Sequence, residues 1–195
     1  MSKRRQQKLD TRNAIFDSAL ALFERHGYDD TTIEEVCADA GVGRATFFRH
    51  FETKAGLLRE FNRRLAVEAA QRIEATSVPG AVHHLRLVSD AIHDAWVDAG
   101  PGLRSLGIDA ASLSDPGGRR SHPELLDVVA GVIASGTEAG ELRTDLPRPL
   151  AAHIVVFHLA ATTVWWMAHP HLDLRQLLDA ALAHCLQGFA ATRDE

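Results

Sequence analysis

Three features of the 195-residue sequence predict an all-α fold, with a small N-terminal helical unit joined to a larger helical bundle. Apolar residues recur at helical spacing along nearly the whole chain, and no stretch sustains the period-two alternation of a strand. The interruptions fall at glycine and proline: Gly41-Val42-Gly43, Ser77-Val78-Pro79-Gly80, Gly100-Pro101-Gly102, Asp115-Pro116-Gly117-Gly118 and His169-Pro170-His171. A composition of 46% hydrophobic and 24% charged residues is that of a globular chain rather than a disordered or fibrous one. No run of about 18 apolar residues occurs, so no membrane span is expected. The opening MSKRRQQKLD is basic but leads into an amphipathic segment, unlike a signal peptide, and a cytoplasmic location follows as the expectation. Cys37 and Cys185 sit far apart within apolar-periodic segments, which favours buried free thiols in a reducing compartment over a disulfide.

Charge is unevenly placed. The chain carries a formal net charge of −5, yet residues 1–64 hold 12 Lys and Arg against 10 Asp and Glu, whereas the remainder hold nine against sixteen. Phosphate binding depends on where cations cluster, not on their total. Lys3, Arg4, Arg5, Lys8 and Arg12 crowd the first twelve residues with Asp10 alone against them, so residues 1–9 read as a basic flexible arm. Whether that arm meets DNA or is a solvated terminus stays open.

The first helix spans 11–26, with Ile15, Ala19, Leu22 and Phe23 on one stripe and Gly27 where a left-handed residue ends a helix. Thr32 and Glu35 have capping-box spacing and start a short helix to about Ala40. A second short helix covers about Arg44 to His50, and Thr53 caps a long one to about Ala75. Beyond Pro79-Gly80, helical segments are expected at about 80–98, 103–112, 122–138, 147–168 and 173–191.

Residues 32–51 have the outline of a helix-turn-helix: two short helices about a three-residue turn that begins with glycine. Ile33, Val36 and Cys37 make the buried face of the first helix, Phe47 and Phe51 that of the second, and Val42 plugs the angle between them. The outward face then carries Arg44, Ala45, Phe48 and Arg49, with Thr46 beside them. Arginine early in such a helix has the geometry to read guanine through two parallel hydrogen bonds. Gly43 begins a helix whose free N–H groups favour phosphate, and His50 and Lys54 are placed to hold the DNA backbone. With Thr32 these residues form the candidate DNA-binding set, and whether Phe48 contacts DNA or packs in the core is left open.

The run TRNAIFDSALALFERHGY through TTIEEVCADAGVGRATFFRHFETKAGLL, residues 11–58, resembles the N-terminal DNA-binding domain of the TetR family of transcriptional regulators. The likeness rests on Phe23-x-x-x-Gly27-Tyr28, Thr31-Thr32, Ala40-Gly41-Val42 and Phe51-x-x-Lys54-x-x-Leu57, and covers about a quarter of the chain. It implies a reader domain at 10–56, a linking helix at 57–78, and a ligand-binding and dimerisation domain at 79–195. It also implies a homodimer on palindromic DNA, most often a repressor, released by a small molecule. Gly43 stands where the family often has a serine or threonine cap, and Phe48 where a tyrosine is usual.

In the second domain, residues 150–168 are apolar nearly all round, so the helix needs partners on both sides. The TetR resemblance implies that one side lines the bundle and the other packs on the same helix of a second subunit. Val155, Leu159, Thr162 and Trp166, with Leu178 and Leu182 of the last helix, are the candidate dimer residues, and a central helix of a monomer is the alternative. Trp96, His93, His153, Phe157 and Trp165 are the candidate lining of a cavity for a small, largely apolar effector. The eleven histidines include His83-His84 and His169-x-His171 without a convincing companion set, so no metal or cofactor is expected. An α-helical enzyme would need a nucleophile, a phosphate loop or a carboxylate–histidine pair, none of which is present as a motif, so no enzymatic activity is expected. A carrier without DNA affinity remains the third reading.

Overall fold

The computed structural model describes residues 2–112, 122–143 and 145–189, and its described residues form nine helices. They divide into two compact units, residues 2–61 with 99–112, and 62–98 with the described part of 122–189. The break expected at Asp115-Pro116-Gly117-Gly118 lies outside the described residues.

In the first unit, α1 (Lys3–His26) begins much earlier than the expected position 11. Ser2 accepts a hydrogen bond from the Arg5 N–H, and the Gln6 amide donates to the Asp10 carboxylate at 2.9 Å one turn on. Straight-chain Lys, Arg and Gln residues lose little side-chain freedom in a helix, so the basic run extends α1 and is not a separate arm. Ile15, Phe16, Ala19, Leu22 and Phe23 bury its apolar stripe. α2 (Ile33–Asp39) starts with a complete capping box between Thr32 and Glu35. The turn to α3 (Arg44–His50) passes through Gly41 at φ 66°, a left-handed conformation that a side chain would strain. There the Val42 N–H donates to the Cys37 carbonyl at 2.9 Å, closing the end of α2.

α4 (Gly56–Ala75) begins with the Gly56 N–H on the Thr53 hydroxyl at 3.1 Å, as the expected cap requires. The division between the units falls inside this helix, after Phe61. α6 (Pro101–Ser112) packs on α1 and belongs to the first unit, although its sequence lies within the range expected for the second domain. Gly102 permits that contact, because a Cβ there would stand 2.4 Å from the Phe23 carbonyl oxygen.

The second unit contains the rest of α4 with α5 (Ala81–Asp98), α7 (Pro123–Glu138), α8 (Arg148–Met167) and α9 (Leu174–Phe189). α8 lies between α7 and α9, and α5 packs on both of those. Leu85, Val88, Ile92, Val129, Ile133, Val155, Leu159, Leu178 and Leu182 form the core. By length and composition α8 is apolar enough to cross a membrane, but eight of its residues are buried within the unit, as in a bundle core helix.

Candidate nucleic-acid interface

α3 is a seven-residue helix held from one side. Phe47 and Phe51 are buried with ring centroids 5.9 Å apart, which orients the helix and leaves Arg44, Ala45, Phe48 and Arg49 exposed. Phe48 is 41% exposed and meets Phe47 only edge-on at 5.5 Å, so it belongs to the outer face rather than the core. Thr46 is half-buried and its hydroxyl accepts from Arg49 Nη2 at 3.0 Å. Gly43 supplies an extended N-cap with no side-chain hydrogen bond. The Arg44 guanidinium lies over the Phe48 ring, 5.9 Å from its centroid, and is ion-paired with Glu34 of α2.

A part-buried ion pair joins three helices of this unit. Glu60 of α4 is fully buried, and its carboxylate accepts from Arg12 Nε at 2.8 Å. Arg12 Nη1 also donates to the His50 carbonyl at 3.3 Å, and the guanidinium stacks 4.9 Å from the Phe51 ring centroid. One side chain of α1 therefore ties the end of α3 to α4. Neither residue stood out as a site residue in the sequence. The available signal was Glu60, a carboxylate three residues after Leu57 and adjacent to Phe61 on a buried helix face.

Three of the expected DNA-binding residues are engaged otherwise. Lys54 directs its ammonium at the Tyr28, Asp29 and Thr31 carbonyls and lies 4.1 Å from the Tyr28 ring centroid. Its three donors thus staple the α1–α2 loop through main-chain carbonyls. His50 is half-buried, with Nδ1 buried and lacking a hydrogen-bond partner. Burial first, then the neighbouring Arg12, Arg49 and Lys8 charges, push its ionisation below the usual histidine value, so it is a poor phosphate cation. The Thr32 hydroxyl accepts from the Glu35 N–H at 3.2 Å and donates to the Glu35 carboxylate at 2.8 Å, committing it to the cap. The Thr32 backbone N–H, then its hydroxyl, hold the Glu35 carboxyl below its ordinary range.

In the second unit the burial of the candidate dimer and cavity residues differs from the expected pattern. Val155, Leu159, Trp166, Leu178 and Leu182, expected at a dimer interface, are buried in the core of one chain. Thr162 is half-buried, its hydroxyl donating to the His158 carbonyl at 2.8 Å. Phe157 and Trp165, expected to line a cavity, are 64% and 49% exposed, on a stripe with Leu150 and Ile154. His153 donates from Nδ1 to the Pro149 carbonyl, 2.6 Å away, and Trp96 is core. His93 belongs to an ionic cluster in which Arg175 meets Asp90 and Asp94, and Arg72 meets Asp94 at 2.8 Å. The five expected ligand residues are not brought together. A cleft of about 590 Å³ opens instead between α5 and α9, lined by Arg86, Asp179, Leu182, Ala183, Leu186 and Gln187.

Residues 15–61 match the family model described as bacterial regulatory proteins, tetR family. The transcriptional repressor AcnR of Corynebacterium efficiens is 29% identical over 161 residues, covering 80% of this chain and 78% of that protein. Among solved structures, Thermus thermophilus FadR, a TetR-family repressor in complex with lauroyl-CoA, superimposes with a TM-score of 0.74 at 24% identity over 94% of this chain and 97% of that one. Bacillus subtilis FadR in complex with stearoyl-CoA gives 0.67 at 20% identity, over 90% and 97%.

Proposed function

From the premise that this chain belongs to the TetR family of bacterial regulatory proteins, we propose that it is a dimeric, sequence-specific DNA-binding repressor that a small molecule releases from its operator. One observation supports the DNA-reading role above the others. α3 is anchored by Phe47 and Phe51 and presents Arg44, Ala45, Phe48 and Arg49 to solvent on one continuous face. Such a helix fits the major groove, with Arg44 directed at guanine and Phe48 at sugar or a thymine methyl.

A single short reader makes few contacts, so two copies on a two-fold DNA site are needed for selectivity. The exposed apolar stripe Leu150, Ile154, Phe157 and Trp165 of α8 suits that second copy, in place of the core residues first expected there. The effector acts by preferring the conformation that does not bind DNA, and it shifts the equilibrium only by that difference in affinity. A small, largely apolar effector is the expected class. Lauroyl-CoA, an apolar acyl chain on an anionic carrier, is the first probe because a protein of the same fold carries it.

A mobility-shift titration against duplex from upstream of the protein's own coding region tests the reading. Binding is expected to be salt-dependent and to weaken about tenfold or more in Arg44→Ala, the loss of one bidentate base contact. Equal affinity for unrelated duplex, or no response to Arg44→Ala, would overturn it.

A further inference from the structure

We propose that Glu34 is a specificity-determining residue that acts through Arg44, so that the recognition helix yields its arginine to guanine rather than to phosphate. The inference rests on the DNA-binding reading above. Glu34 lies in the first turn of α2, a different helix from Arg44, and its carboxylate pairs with Arg44 Nη1. The Arg44 guanidinium is confined on its other side by the Phe48 ring, 5.9 Å from the centroid. Both side chains are more than half exposed, so stability gives little reason for the pair. Its position does give one, since it lies on the face that α3 presents outward.

A free arginine on such a face is attracted to any phosphate, and that attraction carries no sequence information. Glu34 acts against this in two ways. Its charge repels the DNA backbone, and it supplies the acceptor that a lone phosphate contact would have to replace. Guanine N7 and O6 match the planar fork of the guanidinium and carry no charge, so the Glu34 carboxylate beside Arg44 does not repel them. That carboxylate does repel an anionic phosphate that would take the same fork. With Nη1 held by Glu34 and one face against Phe48, the fork is also limited in the directions it can take before DNA arrives. Lys54 is held by loop carbonyls and the His50 ring is pushed toward its neutral form, and Arg44 and Arg49 are the exposed cations of α3. The selectivity of α3 then depends heavily on how Arg44 is used.

The test enriches duplexes from a random-sequence library with the full-length protein. It then measures affinity for the enriched duplex and for unselected duplex across a salt series. For Glu34→Gln, affinity for unselected duplex is expected to rise about fivefold and its salt dependence to steepen by about one unit of slope, as one repelling charge is removed. Affinity for the enriched duplex rises less, so the ratio between the two falls. In an Arg44→Ala background the same substitution is expected to leave that ratio unchanged. A ratio unaltered by Glu34→Gln in otherwise native protein overturns the proposal. So does a fall of equal size without Arg44, which would make Glu34 a plain surface charge. Enrichment of no duplex by the native protein would overturn the DNA-binding reading, and this inference with it.

Discussion

Phe47-Phe48 in the small unit and Trp165-Trp166 in the bundle are adjacent aromatic pairs that split alike, one ring inside and one outside. Phe47 is fully buried and Phe48 41% exposed, while Trp166 is 5% exposed and Trp165 49%. The split itself is geometric, since successive residues on a helix point about 100° apart. The pairs differ in their neighbours. Around Phe47-Phe48 stand Arg44, Arg49 and His50, so a single apolar stripe exists, through Phe47 and Phe51. In α8 two stripes satisfy the helical period, Val155–Leu159–Trp166 and Ile154–Phe157–Trp165. Periodicity identifies an inner face only where the opposite face is polar. Where both are apolar, it reveals that two partners are needed but not which face meets which.

The sharpest way to break this comparison is to truncate the two tryptophans in turn. Trp166→Ala should cost about 3–5 kcal/mol of stability, because it opens a cavity in the core and removes the indole N–H bond to the Leu172 carbonyl, 3.0 Å away. Trp165→Ala should leave the fold of the single chain close to intact. Phe157→Arg, on the same exposed stripe, should separate copies without unfolding them, as a charge placed in an apolar contact is left unpaired. Denaturant unfolding with light scattering reads both effects. A large loss of stability from Trp165→Ala, or dimers that survive Phe157→Arg, would mean that the exposed stripe has been assigned to the wrong partner.

A second contrast concerns ion pairs within the small unit. Arg44–Glu34 is exposed, whereas Arg12–Glu60 sets a fully buried carboxylate on a partly exposed guanidinium. Breaking the first should barely alter stability. Arg12→Ala should cost more, about 1–3 kcal/mol, since it removes a charge-assisted hydrogen bond from a fully buried carboxylate and frees the end of α3. Thermal unfolding with a DNA titration distinguishes the outcomes. Equal, small effects from the two would show that Glu60 finds adequate compensation elsewhere.

Much of this architecture is readable before any coordinates. The Thr32 cap, the Gly41 turn, the buried Phe47 and Phe51 and the Thr53 cap follow from local chemistry, and each occupies its expected position. What escaped is of another kind. Lys54 is recruited by carbonyls 23 to 26 residues earlier in the chain, and Arg12 by a carboxylate 48 residues later. A long cationic side chain near a surface has many possible acceptors, and its choice depends on which of them the fold leaves unpaired. No periodicity records that. Glu34 was missed for a related reason, because a glutamate in the first turn of a helix already has a sufficient local explanation in the helix dipole.

The smallest expected effect concerns His50 at the end of α3. Its Nδ1 is buried without a partner, and the charged groups that bear on it, Arg12 and Lys8 of α1 and Arg49 of α3, are all cationic. Folding therefore favours the neutral ring, and the folded ionisation lies below the ordinary value of 6.5. In the interval between the folded and ordinary values the unfolded chain binds more protons than the folded one, so stability rises with pH there. The contribution is fully present above about pH 6.5 and is lost as pH falls through that value toward the lowered one. His50→Gln removes this titration while keeping a polar group of similar size. Unfolding free energies measured from about pH 7.5 down to about pH 5 should fall more steeply in the native protein than in the variant. Parallel curves would mean that the His50 ring takes up protons equally in the folded and unfolded chain, as it would if the end of α3 opened readily enough to hydrate it.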